Sequence, residues 1–374
     1  MKKRIGIASV LLAAGMSLTL AGCSGSSQNV VYLSSNWYAN TGFKKIQPTF
    51  TEGNDNFAKE KITYDVKFDK STASNSTYSV NYADGTYVTE FYAKSFDRNS
   101  EYVHEDYKNG YPDKNLTVYY YRTELTIPSV TFKVGNEEKT FVNGNGVVCE
   151  SYFLSVEDRM RPLYSSQKIN SVSPANYQVS SIDEAYRELN YEYKTYYNFS
   201  GSEAKTYAKT DGGEDTVNTV YGINQSANTL FDVSYLDIAV RANKLMPDLA
   251  QAISLYTPHG GVQDFILRGS DTALTDDEAA NAKSILTGKN LYTPEYAKDE
   301  NGKEVEKKFS TVAVSVTYNG ELSGVSQTYW FAAVNNARNN VGRATIVKMS
   351  YPVTFGLGTQ IYTLNEIEST LWTD

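Results

Sequence analysis

The part of the chain with the clearest chemical implication is a Leu-Ala-Gly-Cys tetrapeptide at residues 20–23, which places a thiol directly after two small residues. A basic start at residues 2–4 and an apolar run over residues 5–20 precede it. The run is short for a membrane-spanning helix, which needs about 20 apolar residues. A charged start, a short apolar stretch and a small-residue cleavage site, in this order, indicate an export signal.

The tetrapeptide resembles the lipobox of bacterial lipoproteins, and the resemblance covers residues 1–23 only. It implies that a signal peptide, residues 1–22, is removed and that the thiol of Cys23 carries the lipid. Two or three acyl chains anchor a protein stably where a single chain does not. We therefore expect the chain to be held on the extracytoplasmic face of the cell membrane; plain secretion is the alternative.

A short tether should follow the anchor. Residues 23–29 are rich in glycine and serine, as in Gram-positive lipoproteins, and a flexible linker reaches only about 5–6 Å × √n. The folded part should therefore lie close to the membrane surface. Residues 30–374 are predicted to form a β-rich globular region, either one unit or two joined subdomains.

Complete catalytic motifs are absent from the sequence. His104 and His259 are far apart, and neither lies in a His-Glu-x-x-His arrangement, which excludes a histidine-rich metal site. Two Ser-x-x-Lys spacings, at residues 165–168 and 202–205, lack the Lys-Thr-Gly and Ser-Asp-Asn motifs of penicillin-binding enzymes. We therefore predict no catalytic residue, no metal and no cofactor.

Carboxylate pairs leave one enzyme class open. Glycoside hydrolases use two acids that come from distant strands and have no local signature. Glu90, Glu124 and Glu192 lie in tyrosine-rich stretches, although such charges usually face solvent. A glycoside hydrolase is the alternative to a non-catalytic role.

Composition limits the partners. The chain has 35 Lys and Arg against 43 Asp and Glu, a net charge of −8. Such an acidic chain is a poor candidate for binding nucleic acid by charge.

With Cys23 lipidated, Cys149 has no partner for a disulfide, and its alternation with Val147 and Phe153 predicts a buried, inert thiol.

The 31 tyrosines have two explanations. Tyrosine favours half-exposed antiparallel strands, and this reading is preferred because the tyrosines are spread along strand-like stretches. Aromatic faces also stack on sugars and other flat ligands. On that second reading, Trp37 and Trp330 are the candidate ligand-binding residues.

The fold class is predicted as α+β, predominantly antiparallel β-sheet. Alternating apolar residues predict strands at 62–68, 189–199, 312–318 and 347–355, and a hairpin over 130–142. Helices are predicted at about 181–188, 235–256, 275–287 and 363–372, the second and third within a helical insert near 235–290.

Together these features predict a membrane-anchored, non-catalytic binding or cell-envelope protein. Its ligand is expected to be either lipid, held between the sheet and the helices, or glycan, held on exposed aromatic side chains. The membrane is the one partner for which a contacting residue is predicted, namely Cys23 with its lipid.

Overall fold

The computed structural model describes residues 59–71, 77–112, 116–142, 145–156, 159–176, 178–210, 216–221, 251–257, 261–318, 327–336 and 341–369. The predicted signal peptide, Cys23, the tether, Trp37 and His259 lie outside these residues. Among the helices it does describe, none is long and apolar enough to cross a membrane.

Antiparallel strands dominate the described chain, as predicted. Fourteen of them form one sheet in the order β11-β10-β9-β8-β7-β4-β3-β1-β19-β18-β17-β16-β13-β12, while β2, β5 and β6 form a smaller sheet and β14 pairs with β15. The strands are β1 (Lys59–Lys70), β2 (Tyr78–Tyr82), β3 (Gly85–Ser95), β4 (Thr117–Thr126), β5 (Ser129–Val134), β6 (Glu137–Val142), β7 (Gly146–Val156), β8 (Arg159–Pro174), β9 (Tyr186–Tyr197), β10 (Glu203–Thr210), β11 (Thr216–Tyr221), β12 (Gln251–Thr257), β13 (Gly261–Ser270), β14 (Tyr296–Lys298), β15 (Glu304–Glu306), β16 (Thr311–Tyr318), β17 (Gln327–Asn336), β18 (Val341–Val353) and β19 (Gly358–Ser369).

One face of the large sheet packs into the main hydrophobic core, together with the smaller sheet and α1 (Asp276–Gly288). Ile62, Tyr64 and Val66 of β1 are buried there, and the polar residues between them are not. The predicted alternation in β1 is therefore confirmed, and the other three predicted strands fall largely within β9, β16 and β18. The predicted hairpin is β5–β6.

The helix predicted at residues 275–287 is confirmed as α1. Its capping box is formed: the Glu278 backbone N–H donates to the Thr275 hydroxyl at 3.3 Å, and the Thr275 N–H donates to the Glu278 carboxylate at 3.0 Å. The same carboxylate lies 2.6 Å from Lys348 Nζ on β18, so the cap also fixes α1 against the sheet.

Three other helix predictions are wrong where the structure describes them. In the region 181–188, only Ile182–Glu184 form a 3₁₀ turn, and β9 begins at Tyr186. Residues 251–256 belong to β12, which pairs with β13, so these parts of the predicted helical insert are strands. Residues 363–369 belong to β19, between β1 and β18.

The helix prediction at 363–372 rests on the capping-box pattern Thr363-Leu-Asn-Glu366, but in the structure this segment forms a β-bulge. The register with β1 shifts between Leu364 and Glu366, which leaves Asn365 as the extra residue. The buried Leu364 and Ile367 are therefore three positions apart, a helical spacing, although the backbone is extended. Strand pairing on both sides of β19 overrides this local pattern.

The other face of the large sheet, here called the outer face, carries a second hydrophobic cluster. It lies beneath the connection from β3 to β4, and we call residues 97–112 of this connection the cover segment. The cover segment contains a 3₁₀ helix, Glu105–Gly110. The buried members of the cluster are Tyr102, Val103, Tyr107, Tyr111, Val118, Leu154, Leu163 and Tyr164.

Candidate functional site

Five tyrosines lie directly opposite one another on five neighbouring strands of the outer face. The register pairs Tyr92 on β3 with Tyr120 on β4, Tyr120 with Tyr152 on β7, Tyr152 with Tyr164 on β8, and Tyr164 with Tyr196 on β9. Directly opposed residues point to the same face of a sheet, so their rings meet. We call this set the tyrosine row.

The rings of the tyrosine row are in continuous contact. From Tyr92 to Tyr196, neighbouring centroids are 4.4, 4.8, 5.8 and 5.0 Å apart, with interplanar angles of 37°, 58°, 62° and 58°. The rings are thus tilted against one another and do not form a flat platform. Tyr120 and Tyr164 are buried, whereas Tyr92, Tyr152 and Tyr196 are half-buried and leave part of their rings accessible.

A polar row runs beside the tyrosine row, two residues along each strand. It consists of Glu90, Arg122, Glu150, Ser166 and Lys194, each directly opposite the next. The Arg122 guanidinium lies 3.6 Å from Glu90 and 3.9 Å from Glu150. The Glu150 carboxylate also accepts hydrogen bonds from the Ser166 hydroxyl at 3.2 Å and from the Tyr120 hydroxyl at 2.9 Å, which links the two rows.

Two adjoining cavities follow these rows across the strands. One has a volume of about 360 Å³ and the other about 640 Å³, and they share Glu101, Glu192, Lys194 and Tyr196. We call the two together the outer groove. The first is also lined by Tyr102, Arg122, Val148, Glu150, Tyr152, Tyr164, Ser166, Gln167 and Lys168. The second is also lined by Asn99, Ser100, Val103, His104, Glu105, Lys108, Tyr207, Ala208, Lys209, Thr216 and Val217.

The charges lining the outer groove are nearly balanced. The groove presents four glutamates, Glu101, Glu105, Glu150 and Glu192, and five basic side chains, Lys108, Arg122, Lys168, Lys194 and Lys209. Several form ion pairs within or beside the groove: Lys194 lies 3.1 Å from Glu192, and Arg122 lies 2.8 Å from Glu124. The hydrogen bond to Glu192 raises the pKa of Lys194, so this lysine stays charged.

Tyr102 attaches the cover segment to the tyrosine row. Its ring stacks on Tyr152 with a centroid distance of 4.6 Å and an interplanar angle of 12°. Lys94 Nζ lies 4.4 Å from the Tyr102 centroid and 4.7 Å from that of Tyr152, a cation–π contact with both rings. Burial lowers the pKa of Lys94, an effect that Glu101 and Glu150 oppose.

His104 makes a second attachment, at the far end of the outer groove. Its Nδ1 accepts a hydrogen bond from the Asp106 backbone N–H at 3.1 Å, so the neutral ring carries its proton on Nε2, 2.6 Å from the Tyr207 hydroxyl on β10. Burial lowers the pKa of His104, and the nearby charge of Lys205 adds to this, while Asp106 and Glu105 act in the opposite direction. Lys205 also forms an ion pair with Asp106.

Three tyrosines of the outer groove, Tyr152, Tyr164 and Tyr196, are neutral hydrogen-bonding groups at physiological pH. Burial raises the pKa of Tyr152, Tyr164 and Tyr196 above that of a free phenol. The arrangement therefore offers neutral phenol rings and hydroxyls on one side, and paired ionic groups on the other. This chemistry suits a ligand with both apolar faces and hydroxyl groups.

The residues predicted from sequence are dispersed. Trp330 is only 4% exposed, its indole N–H donates to the Thr272 carbonyl at 2.7 Å, and Lys348 lies over its ring, so it offers no exposed stacking face. Cys149 is buried, as expected. Of the three candidate carboxylates, Glu192 lines the outer groove, while Glu90 and Glu124 pair with Arg122 beside it.

Sequence reasoning missed the tyrosine row because the row depends on strand register. Of its five tyrosines, only Tyr196 falls in a strand whose bounds are predicted from the sequence, and a single sequence does not specify which residues of two strands lie opposite each other. Among the described residues, no group of three or more His, Cys, Asp and Glu side chains is arranged to hold a metal ion.

Comparisons with known proteins do not assign this chain to a family. No family model matches the chain, and no curated protein matches it. Among solved structures, a β-barrel-like protein of the domain of unknown function DUF1849 from Brucella abortus is similar. Its TM-score is 0.34 at 11% identity, covering 83% of this chain and 98% of that chain. This likeness carries no information on function.

Proposed function

We propose that this chain is a lipid-anchored extracytoplasmic protein that binds a glycan in the outer groove without cleaving it. The observation that carries the proposal is the tyrosine row lying beside the polar row along one open groove. Sugars combine C–H faces, which pack against aromatic rings, with hydroxyls that need donors and acceptors. Tyrosine rings and ion-paired side chains supply both kinds of contact within a few ångströms.

A lipid ligand has less support. The outer groove contains nine Glu, Lys and Arg side chains, which an acyl chain would have to desolvate without replacing their hydrogen bonds. Among the described residues on the core side, a cavity beside Asn145 and Gln360 measures about 20 Å³, the room of roughly one water molecule. Of the two ligands expected from the sequence, glycan is therefore the one we propose.

The lipobox-like sequence supports the location. Lipid on Cys23 and the short tether at residues 23–29 would hold the groove near the outer surface of the membrane, where envelope glycans lie. Nucleic acid remains a poor partner, because the whole chain carries a charge of −8 and the charges lining the groove are nearly balanced.

A glycoside hydrolase is the second candidate, and one observation favours it. Glu101, Glu150 and Glu192 all line the same cavity, as the two acids of a glycosidase must. Binding without cleavage is preferred because Glu192 pairs with Lys194, and Glu150 is held by Tyr120 and Ser166. In these contacts the two carboxylates hold neighbouring side chains of the groove in place.

Retention on insoluble polysaccharide tests the proposal. The full chain, purified in a detergent without sugar headgroups, is mixed with amorphous cellulose, chitin or bacterial cell walls, and bound protein and released reducing sugar are measured. We expect retention of the wild type and of Tyr296→Ala, an exposed tyrosine on β14, and loss of retention in Tyr196→Ala. Retention on none of the three, or equal retention of both variants, would contradict the proposal. Release of reducing sugar would favour the hydrolase.

A further inference from the structure

The outer groove has a direction and a repeat that narrow the class of ligand. We infer that the ligand is an extended, uncharged glycan of several sugar units, an inference that rests on the proposed function. The glycan would lie across the strands, along the tyrosine row and the polar row.

The length of the groove exceeds that of one or two sugars. Its lining comes from six adjacent strands, from Arg122 on β4 through β7, β8, β9 and β10 to Val217 on β11. Neighbouring strands are about 4.8 Å apart, so the five intervals span roughly 24 Å. The two cavities join at Tyr196 and Lys194, so a single ligand can occupy both.

The repeat of the groove suits a polymer. β7, β8 and β9 each contribute to the lining of the groove one tyrosine of the row (Tyr152, Tyr164, Tyr196) and, two residues away, one side chain of the polar row. Both kinds of contact therefore recur at the interval between strands, which is close to the length of one pyranose unit in an extended chain. A ligand that repeats ring faces and hydroxyls at this interval can make the same contacts on each strand.

The charge of the groove disfavours ionic glycans. An anionic sugar would approach Glu101, Glu150 and Glu192, and a cationic sugar would approach Lys168 and Lys194. Arg122 and Lys194 already have carboxylate partners at 2.8 and 3.1 Å. A neutral sugar can donate to the carboxylates and accept from the cations without breaking these pairs.

An extended peptide is less compatible with this surface. Peptides that bind sheets usually do so by adding a strand to a free edge, where backbone groups are available. The outer groove crosses the face of the sheet, and the backbone of β7, β8 and β9 is already paired with strands on both sides. Across these three strands, the sheet offers only side chains to a ligand.

Calorimetric titration of the full chain with defined sugars tests the inference. The probes are cellohexaose, maltohexaose and the chitin hexamer, the disaccharide of each, and hexagalacturonate as an anionic chain of equal length. We expect at least one neutral hexasaccharide to bind about tenfold or more tightly than its disaccharide, and hexagalacturonate to bind at least about tenfold more weakly.

Two exposed valines provide a matched pair of variants. Val217 lies at the β11 end of the outer groove and is 61% exposed, whereas Val142 on β6 is 67% exposed and lies outside it. Neither substitution should affect folding. Val217→Arg should weaken binding of the hexasaccharide, whereas Val142→Arg should not.

The possible failures are distinguishable. Equal affinity for disaccharide and hexasaccharide, or equal effects of the two valine variants, would overturn the extended ligand but leave glycan binding in place. Preference for hexagalacturonate would overturn only the uncharged class. Failure of every sugar to bind, with no retention on polysaccharide, would overturn both proposals. Denatured casein serves as a probe for an extended peptide, and its binding in the absence of any sugar binding would also overturn both.

Discussion

The Tyr102 ring stacks on the Tyr152 ring at 4.6 Å, and this contact joins the cover segment to the tyrosine row. The residues that build one wall of the outer groove therefore also hold the cover segment on the sheet. Tyr107 and Tyr111 add hydrogen bonds to Glu203 at 2.7 Å and to the Tyr197 carbonyl at 2.6 Å. The wall of the groove is thus fixed by packed aromatic side chains as well as by the chain connection.

Removing the Tyr102 ring should loosen the cover segment. Tyr102 is 5% exposed, and Tyr102→Ala should lower the free energy of unfolding by about 3 kcal/mol, because a buried aromatic ring and its packing are lost. Tyr102→Phe keeps the ring and should cost about 1 kcal/mol or less. Denaturant unfolding measures both, with the exposed Tyr296→Ala as the control that should change little. Similar losses for Tyr102→Ala and Tyr296→Ala would contradict the packing described above.

Acid should detach the cover segment through His104. The pKa of His104 is lowered in the folded protein, so its contribution to stability is present above the unfolded value of 6.5 and is lost as the pH falls through the folded value. A proton on Nδ1 removes the acceptor for the Asp106 N–H. After correction for the slower intrinsic exchange at lower pH, the protection factors of residues 97–112 should therefore fall as the pH decreases below about 6.5.

The two histidines of the chain provide the control for this prediction. His104→Asn should abolish the loss of protection of residues 97–112 at lower pH, whereas His259→Asn should retain it. A pH-dependent change that persists in His104→Asn would assign the effect to another group.

The ion pair between α1 and β18 should contribute to stability. Glu278 and Lys348 are 2.6 Å apart with side-chain exposures of 23% and 13%, and Glu278 also completes the helix cap. Glu278→Ala removes both contacts and should cost about 2–3 kcal/mol in thermal or denaturant unfolding. Lys308→Ala breaks an exposed pair with Asp276 and should have no measurable effect. A cost for Lys308→Ala as large as that for Glu278→Ala would contradict this assignment.

Substitution of the lipobox-like cysteine tests the anchor. Cys23→Ala removes the thiol that would carry the lipid, so the protein should leave the membrane fraction or remain as the longer, unprocessed chain. Fractionation and mass analysis distinguish these forms. Mature-sized Cys23→Ala protein that remains on the membrane would contradict lipidation at Cys23.

The sequence predicted the antiparallel sheet, the buried face of β1 and α1, which depend on local alternation and on the Thr275–Glu278 capping box. Predictions failed where pairing between distant segments decides the outcome. The Thr363-Leu-Asn-Glu366 pattern is also that of a capping box, yet β1 and β18 hold that segment as a strand with a bulge at Asn365.

The candidate site was harder to predict than the fold. The burial of Trp330 is not visible in the sequence, and the structure places its indole against Thr272. Tyr92 and Tyr196 are 104 positions apart in the chain, yet they are the two ends of one row. Only the register of five strands brings such residues together.

Hydroxyl-radical footprinting of the unmodified chain tests most directly whether the outer groove binds a glycan. The chain is oxidised with and without a saturating amount of a polysaccharide to which it binds, and the oxidised side chains are identified by mass spectrometry. Binding in the outer groove predicts protection of Tyr152, Tyr196 and Tyr207, and no protection of Tyr296. Protection confined to tyrosines outside the groove, or unchanged oxidation of all of them, would contradict the account.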